Sequence, residues 1–180
     1  LNNLAGTDVT LALHVGEGIA LSITGTDVAA TETPFNMNLV ASTVPAEVKD
    51  AVVASAAASR EFSFEEQGAF PFLVNMHMNF GEENVGKVAV LYRYDEETGA
   101  LVVAGTFIVN ADGQAMFGLT EGGQYVAVVT ENPATYMVAA GDTFGRIARK
   151  FNMTTEALKA VNPDVKNINK IRIGQVLNVR

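Results

Sequence analysis

The sequence contains no cysteine and only two histidines in 180 residues. Without cysteine there are no disulfides, thiolate nucleophiles or thiolate metal sites. We also expect no metal centre of another kind and no cofactor. The lack of cysteine leaves the redox compartment open, because many cytosolic and exported proteins share it.

Long apolar runs are also missing. No segment approaches the ~18 to 20 uninterrupted apolar residues of a membrane-spanning helix, and the start at Leu1 without a basic segment predicts no signal peptide. Hydrophobic residues still make up 48% of the chain and charged ones 18%, which is typical of a globular protein. The length favours one ordinary domain with a small module attached.

Basic residues are scarce in most of the chain. Residues 1–133 have four Lys and Arg against 17 Asp and Glu, a net charge of −13, whereas residues 134–180 have eight against three, a net charge of +5. A change of sign at one point indicates two units with different partners. The basic unit suits a polyanionic surface, and the acidic residues of the larger unit serve its solubility.

Apolar side chains recur at every second position in the larger unit, as in strands with one buried face. Segments 9–15 and 19–23 predict a hairpin with a core-facing apolar side, and segment 35–39 predicts a further strand. Pro45 and the alanine-rich segment 46–59 predict a helix.

Four or five more strands are predicted between residues 70 and 130. Turn sequences separate them at 81–84, 95–99, 110–113 and 121–123. Strands joined by such short loops run antiparallel, so we expect a meander within an antiparallel β-sandwich that carries one helix.

The pattern changes after a predicted linker at 131–134. A short strand at 136–138 precedes a helix with apolar residues at i, i+3, i+4 and i+7, for which Asp142 is the predicted N-cap. Thr154 caps a second helix, and a closing strand follows. The predicted fold class is therefore mainly β with α+β: a sandwich in residues 1–130 and a β-α-α-β module in residues 135–180.

This module resembles the LysM family. The matching positions, in the family's order and approximate spacing, are Tyr136, Val138, Gly141-Asp142-Thr143, Phe144, Ile147-Ala148, Phe151, Leu158, Asn162-Pro163, Ile171, Gly174-Gln175 and Leu177. Two positions depart from it: Phe144 stands where leucine is common, and Ile173 where proline is frequent. A weaker resemblance, of the 86–126 region to β-rich segments of Gram-positive secreted surface proteins, concerns setting more than activity.

The LysM resemblance implies binding of N-acetylglucosamine-containing glycan, either peptidoglycan or chitin, in a groove between the loop after the first strand and the loop after the second helix. The expected carbohydrate-binding residues are Gly141, Asp142, Thr143, Phe144, Asn162, Pro163, Asp164, Val165 and Ile168. Asp142 and Thr143 have an alternative role as helix caps, Phe144 as a core residue, and Asn162-Pro163 as a helix stop. Anionic wall polymers are a further expected partner of the basic module.

Catalytic candidates are poor. His14 and His77 fall on the polar faces of predicted strands, and the methionines flanking His77 fall on the opposite, core face, which argues against a copper site. The adjacent glutamates at 65–66, 82–83 and 96–97 fit solvated positions better than a glycosidase pair. We therefore expect no catalytic residues and no enzyme activity.

Two functions remain open for the whole protein. The first is a non-catalytic, secreted, cell-wall-associated protein of a Gram-positive bacterium, in which the module tethers a β-domain that mediates contacts. The second is the targeting part of a larger cell-wall hydrolase. A third idea has the β-domain bind glycan through Tyr92, Tyr94 or Tyr125. No nucleic-acid partner and no membrane span are expected.

Overall fold

The computed structural model describes residues 3–16, 18–28, 36–131 and 135–179. Its strands are β1 Thr10–Gly16, β2 Ile19–Thr24, β3 Leu39–Val40, β4 Ala58–Asn79, β5 Val88–Asp95, β6 Ala100–Ile108, β7 Gln114–Thr130, β8 Thr135–Met137 and β9 Val176–Asn178. Its α-helices are α1 Ala46–Val53, α2 Phe144–Lys150 and α3 Thr155–Ala160, with short 3₁₀ turns at Gly25–Asp27, Glu82–Asn84 and Ile168–Lys170. The mainly β class with few helices is confirmed.

The first seven strands form one antiparallel sheet in the order β1-β2-β4-β7-β5-β6, with β3 paired to β4. The β1-β2 hairpin is confirmed, and so is the hairpin joining β5 to β6 through a loop closed by the Asp95 carboxylate. The predicted meander is wrong, because β7 lies between β4 and β5. The sandwich arrangement itself stays a prediction.

The turn predicted at 121–123 is wrong as well, because these residues lie inside the continuous strand β7. Gly122 pairs with Gly68 of β4, in a stretch where the β4–β7 register shifts twice. A Cβ on Gly122 would overlap the Glu66 carbonyl oxygen. The glycines therefore let two long strands bend together where the sequence suggested a chain reversal.

One face of the sheet carries the main core. Its fully buried members include Phe64, Val74, Met76, Met78 and Phe117, so the prediction that the methionines flanking His77 are core residues is confirmed. The opposite face of β5 and β7 carries a second group, here called the helix-covered cluster, formed by Val44, Val88, Val90, Val126 and Val128. Val48, Val52 and Val53 of α1 pack on this cluster.

Strand β1 departs from the expectation of a core-facing side. Val9, Leu11, Leu13 and Val15 are 58%, 39%, 38% and 37% exposed. Their register partners on β2, such as Leu21 and Ile23, are buried, so the main core ends at β2 in the described part of the chain. The alternation correctly identified the strand, but it could not show that β1 is the outermost one.

Helix α1 ends earlier than predicted, at Val53 instead of near residue 59. Ala58 and Ser59 pair with Val129 and Val128 of β7. This pairing outweighs the helical preference of alanine, because strand partners supply more hydrogen bonds and burial than two further turns of exposed helix. Within 36–39, the described part of the predicted strand 35–39, only Leu39 is a strand residue, and Met37 packs on the main core. Phe35 lies outside the described residues.

The C-terminal module has its own two-stranded antiparallel sheet, β8 with β9, and the two helices α2 and α3 lie between these strands in sequence. The predicted β-α-α-β order is confirmed. Tyr136, Phe144, Ile147, Leu158 and Leu177 form most of the module core, each at 2% exposure or less.

The predicted linker stays a prediction, since residues 132–134 lie outside the described part. Within the described ranges, no helix has the length and apolar character to cross a membrane.

Candidate functional site

The first predicted binding loop follows β8 and is closed by Asp142. The Asp142 Oδ2 atom accepts hydrogen bonds from the Tyr136 hydroxyl at 2.8 Å and from the Ala139 amide at 2.9 Å. Gly141 has a φ of +82°, in the left-handed region where glycine avoids the strain of a side chain. These bonds hold the loop against β8 before any ligand is present.

The prediction that Asp142 caps α2 is wrong. Thr143 is the N-cap, and its Oγ1 atom accepts a hydrogen bond from the Arg146 amide at 3.3 Å. Thr143 has the extended backbone of an N-cap residue and directly precedes Phe144, so its short side chain reaches the first turn. The Asp142 carboxylate is thereby left to close the loop.

Lys150 extends this loop closure. Its Nζ atom donates to the Tyr136 hydroxyl at 2.9 Å and lies 4.0 Å from the centroid of the same ring, a cation–π contact. Burial raises the pKa of Tyr136, and the hydrogen bond and negative charge of Asp142 raise it further. Burial lowers the pKa of Lys150, against the opposing effect of Asp142. The loop is thus anchored by a chain of three polar side chains.

The second predicted binding loop begins at Asn162, which is 6% exposed. Its Nδ2 atom donates to the carbonyl oxygens of Leu158 at 2.8 Å and Asn178 at 2.7 Å, and its Oδ1 atom accepts from the Asn178 amide at 2.8 Å. All three bonds join the Asn162 side chain to the backbone of the module. Asn162 therefore fixes the loop to β9.

The nine predicted binding residues divide by exposure. Gly141, Thr143, Pro163 and Asp164 are exposed, and Asp142 and Ile168 are half-buried. Phe144, Asn162 and Val165 are buried, and Phe144 and Val165 belong to the module core together with the partly buried Ile168. The exposed residues are available to a ligand as they stand, whereas the buried ones shape the two loops.

A cavity of about 600 Å³ adjoins the second loop, and sequence reasoning missed most of its lining. The second loop contributes Asp164, Val165, Lys166 and Asn167, and the segment after it contributes Lys170, Arg172, Ile173, Gly174 and Gln175. Backbone bonds of 2.8 Å tie Gly174 and Gln175 to Val138, which leads into the first loop. The excess of basic residues in the module was one signal of this lining in the sequence.

The side chains considered for catalysis lie apart from these loops in sequence, on strands and connecting turns of the large sheet. His14 is exposed, and the His77 Nε2 atom shares a hydrogen bond of 2.7 Å with Ser22 Oγ, which joins β2 to β4. Glu65 accepts from the side chains of Asn36 and Asn38, and these bonds lower its pKa. Each of these contacts has a structural role in the sheet.

The tyrosines proposed for glycan binding by the β-domain are not three exposed aromatics. Tyr125 is 2% exposed, its hydroxyl donates to the Glu121 carbonyl at 2.9 Å, and its ring stacks on Phe62 with centroids 5.1 Å apart. Burial raises the pKa of both Tyr125 and the half-buried Tyr92. Tyr125 is a core residue, so this part of the expectation is wrong.

Two short helices lie in sequence between the strands of one small antiparallel pair, and a polar side chain anchors each of the two loops; this arrangement defines a compact β-α-α-β module. Residues 136–180 match the family model of the LysM domain, and this part of the chain is a LysM domain. The match covers a quarter of the sequence, so it assigns the module and does not extend to residues 1–130.

Known relatives match over the same module. The chain is 44% identical over 50 residues to an endolysin of Bacillus phage B103, a match covering 28% of this chain and 19% of the relative. It is 45% identical over 51 residues to the secreted LysM effector ELP2 of Colletotrichum higginsianum, covering 28% of each. It is 36% identical over 47 residues to the secreted LysM effector ECP6 of Passalora fulva, covering 26% of this chain and 21% of the relative.

The chain thus spans less than a third of the length of these curated relatives. No solved structure gives a significant match to it.

Proposed function

We propose that this protein binds N-acetylglucosamine-containing glycan through its LysM domain and acts at the bacterial cell wall without catalysis. The observation that carries the proposal is the LysM domain at residues 136–180, whose two connecting loops are held by Asp142 and Asn162. Loops that are already ordered lose little conformational entropy on binding, which favours even a weak ligand.

The chemistry of the loops suits an N-acetylated sugar. An acetamido group presents a methyl, a carbonyl acceptor and an N–H donor, and exposed loop backbone beside partly buried apolar side chains offers a partner to each. Gly141 allows a sugar to approach the first loop closely, and Ile168 supplies an apolar wall on the second. The site is shallow, so one module is expected to bind modestly and to gain strength on a repeating polymer.

The β-domain is proposed to mediate contacts or to be displayed at the wall, with the LysM domain as its tether. The exposed apolar side of β1 is the feature of the sheet that best fits a contact surface. The alternative role, targeting of a larger cell-wall hydrolase, is favoured by the match to a phage endolysin much longer than the matched segment. The presence of a catalytic domain in the same gene product would support the hydrolase-targeting role over the tether role.

The experiment is a nuclear magnetic resonance titration of the whole chain with N-acetylglucosamine oligomers. We expect the amide resonances of residues 141–144, 162 and 164–168 to shift together, and those of the 95–99 hairpin loop on the β-domain to stay in place. The chain should also sediment with purified peptidoglycan. A fragment ending at Thr130, checked for folding by circular dichroism, should remain in solution.

Three results would contradict the proposal. If both loops keep their resonances at millimolar oligomer, the module does not use them for glycan. If the folded fragment sediments as strongly as the whole chain, the binding site belongs to the β-domain. Release of soluble sugar from peptidoglycan by the chain would refute the absence of catalysis.

A further inference from the structure

The cavity beside the second loop has a strongly basic lining. Lys166, Lys170 and Arg172 contribute three positive charges, and Asp164 contributes the one negative charge. In the described part of the chain, none of these three cationic side chains forms an ion pair or hydrogen bond with another residue. Three unneutralised cations around one concave surface create a positive potential that attracts an anion.

The same cavity has an exposed apolar wall. Ile173 is 74% exposed, the highest value among the large hydrophobic side chains of the described residues. The Gln175 side chain accepts a hydrogen bond from the Arg172 amide at 3.1 Å, which orders the turn that presents both Arg172 and Ile173. Positive charges next to an apolar surface fit an anion that carries an alkyl group.

The cavity is placed to meet the same ligand as the two loops. Asp164, Val165 and Lys166 belong to the second loop, and Gly174 and Gln175 are bonded to Val138 at the start of the first. An anion bound here is therefore carried by the glycan itself or by a group attached to it.

We propose that this cavity binds a carboxylate attached to the glycan, so that the LysM domain prefers peptidoglycan to chitin. Chitin repeats an uncharged sugar. Every second sugar of peptidoglycan carries a lactyl ether, and the attached peptide has free carboxylates next to methyl groups, which match the cations and Ile173. A wall polymer made of polyol phosphate carries the negative charge but lacks the methyl group that matches Ile173. The inference rests on the proposed glycan binding and adds the choice of glycan.

The test compares ligands of equal sugar number on the whole chain by calorimetry at low salt. These are an N-acetylglucosamine oligomer, a peptidoglycan fragment with free carboxylates, and the same fragment with its carboxylates converted to amides. We expect the free-carboxylate fragment to bind about tenfold more tightly than the other two, since three exposed ion pairs each contribute up to about fivefold. Added salt should reduce this preference.

Variants then locate the effect. The double variant Lys170→Gln and Arg172→Gln, which leaves the second loop intact, should lose most of the preference and keep its affinity for the uncharged oligomer. The control is Arg149→Gln, which removes a positive charge from the exposed side of α2, away from the cavity. Its affinity for the free-carboxylate fragment should fall no more than about twofold. Amide spectra of each variant verify that the module stays folded.

Several outcomes would overturn the inference. Equal affinity for all three ligands would leave glycan binding standing and remove the anion site. Equal losses for charged and uncharged ligands in the double variant would show a structural role for Lys170 and Arg172. Displacement by glycerol phosphate oligomer, with no effect of amidation, would assign the cavity to phosphate polymers. Binding of none of the ligands would refute this inference together with the proposed function.

Discussion

The side chain of Asn162 holds the end of α3 and the start of the second loop against β9. Its amide group forms three hydrogen bonds of 2.7 to 2.8 Å with the backbone of Leu158 and Asn178. If such a partner is removed inside a protein, the backbone groups are left unpaired, because water cannot replace the partner there. One residue thus connects the shape of the loop with the pairing of the module's two strands.

Replacement of Asn162 by alanine should therefore destabilise the LysM domain by about 1–3 kcal/mol, the usual cost of leaving buried polar groups unpaired. Hydrogen exchange of the buried amides in α2 and β9 measures the stability of this domain within the whole chain. Asn169→Ala is the matched control, because Asn169 is exposed and its side chain is on the surface of the 3₁₀ turn. Similar exchange rates in the two variants would show that the Asn162 bonds contribute little.

The polar anchors of the first loop show what could not be predicted at the residue scale. The sequence placed Asp142 and Thr143 next to a helix start, and either residue type is a good N-cap. Only the fold shows that the Tyr136 hydroxyl lies within 2.8 Å of Asp142 and that Thr143 caps the helix alone. The positions of the loops could therefore be predicted from the sequence. Which residue caps the helix and which closes the loop could not, because that depends on Tyr136 of β8.

Elements fixed by local signals were predicted well. Thr154 caps α3 as expected, with its Oγ1 atom accepting from the Ala157 amide at 3.0 Å, and α2 follows its apolar spacing. Strand partners were predicted less well, since β7 pairs with residues of β4 that lie 35 to 71 positions earlier in the chain. Local patterns carry no information on such distant pairing. This explains the wrong meander, the wrong turn at 121–123 and the overlong helix.

The bend shared by β4 and β7 leads to a prediction for Gly122. A Cβ at this position would overlap the Glu66 carbonyl oxygen and lie 3.3 Å from the Phe70 ring. Backbone of a paired strand cannot move away without breaking the sheet, so Gly122→Ala should lower the free energy of unfolding by about 1–3 kcal/mol or more, as overpacking does. Urea unfolding followed by far-ultraviolet circular dichroism measures this change.

The control is Gly118→Ala, the same substitution four residues earlier on β7. A Cβ there would lie 3.2 Å from Leu73 Cδ1, the end of a flexible side chain, which can move aside. We expect a loss below about 1 kcal/mol, because only a rotamer has to adjust. If Gly122→Ala is as well tolerated as Gly118→Ala, the close approach of the two strands is not what requires glycine.

At the scale of the whole molecule, the acidic β-domain and the basic LysM domain are in direct contact. Thr106 of β6 is 6% exposed, and its Oγ1 atom donates to the Met137 carbonyl at 3.0 Å and accepts from the Met137 amide at 3.2 Å. Phe151, at the end of α2, packs against both the module core and the helix-covered cluster. The unlike net charges of the two units favour this contact at long range.

Thr106 supplies the hydrogen bonds that β8 lacks on the side away from β9, so it should control whether the two units move as one body. Thr106→Val keeps the shape of the side chain and leaves the Met137 amide and carbonyl unpaired, at a cost of about 1–3 kcal/mol. We expect the Met137 amide to exchange at least tenfold faster, and ¹⁵N relaxation to show shorter tumbling times for the LysM domain than for the sheet.

The control is Thr120→Val, at an exposed site on β7, which should change neither quantity. Unaltered tumbling in Thr106→Val would mean that Phe151 and the helix-covered cluster are sufficient to hold the LysM domain in one orientation, and that the threonine contact is not required for it.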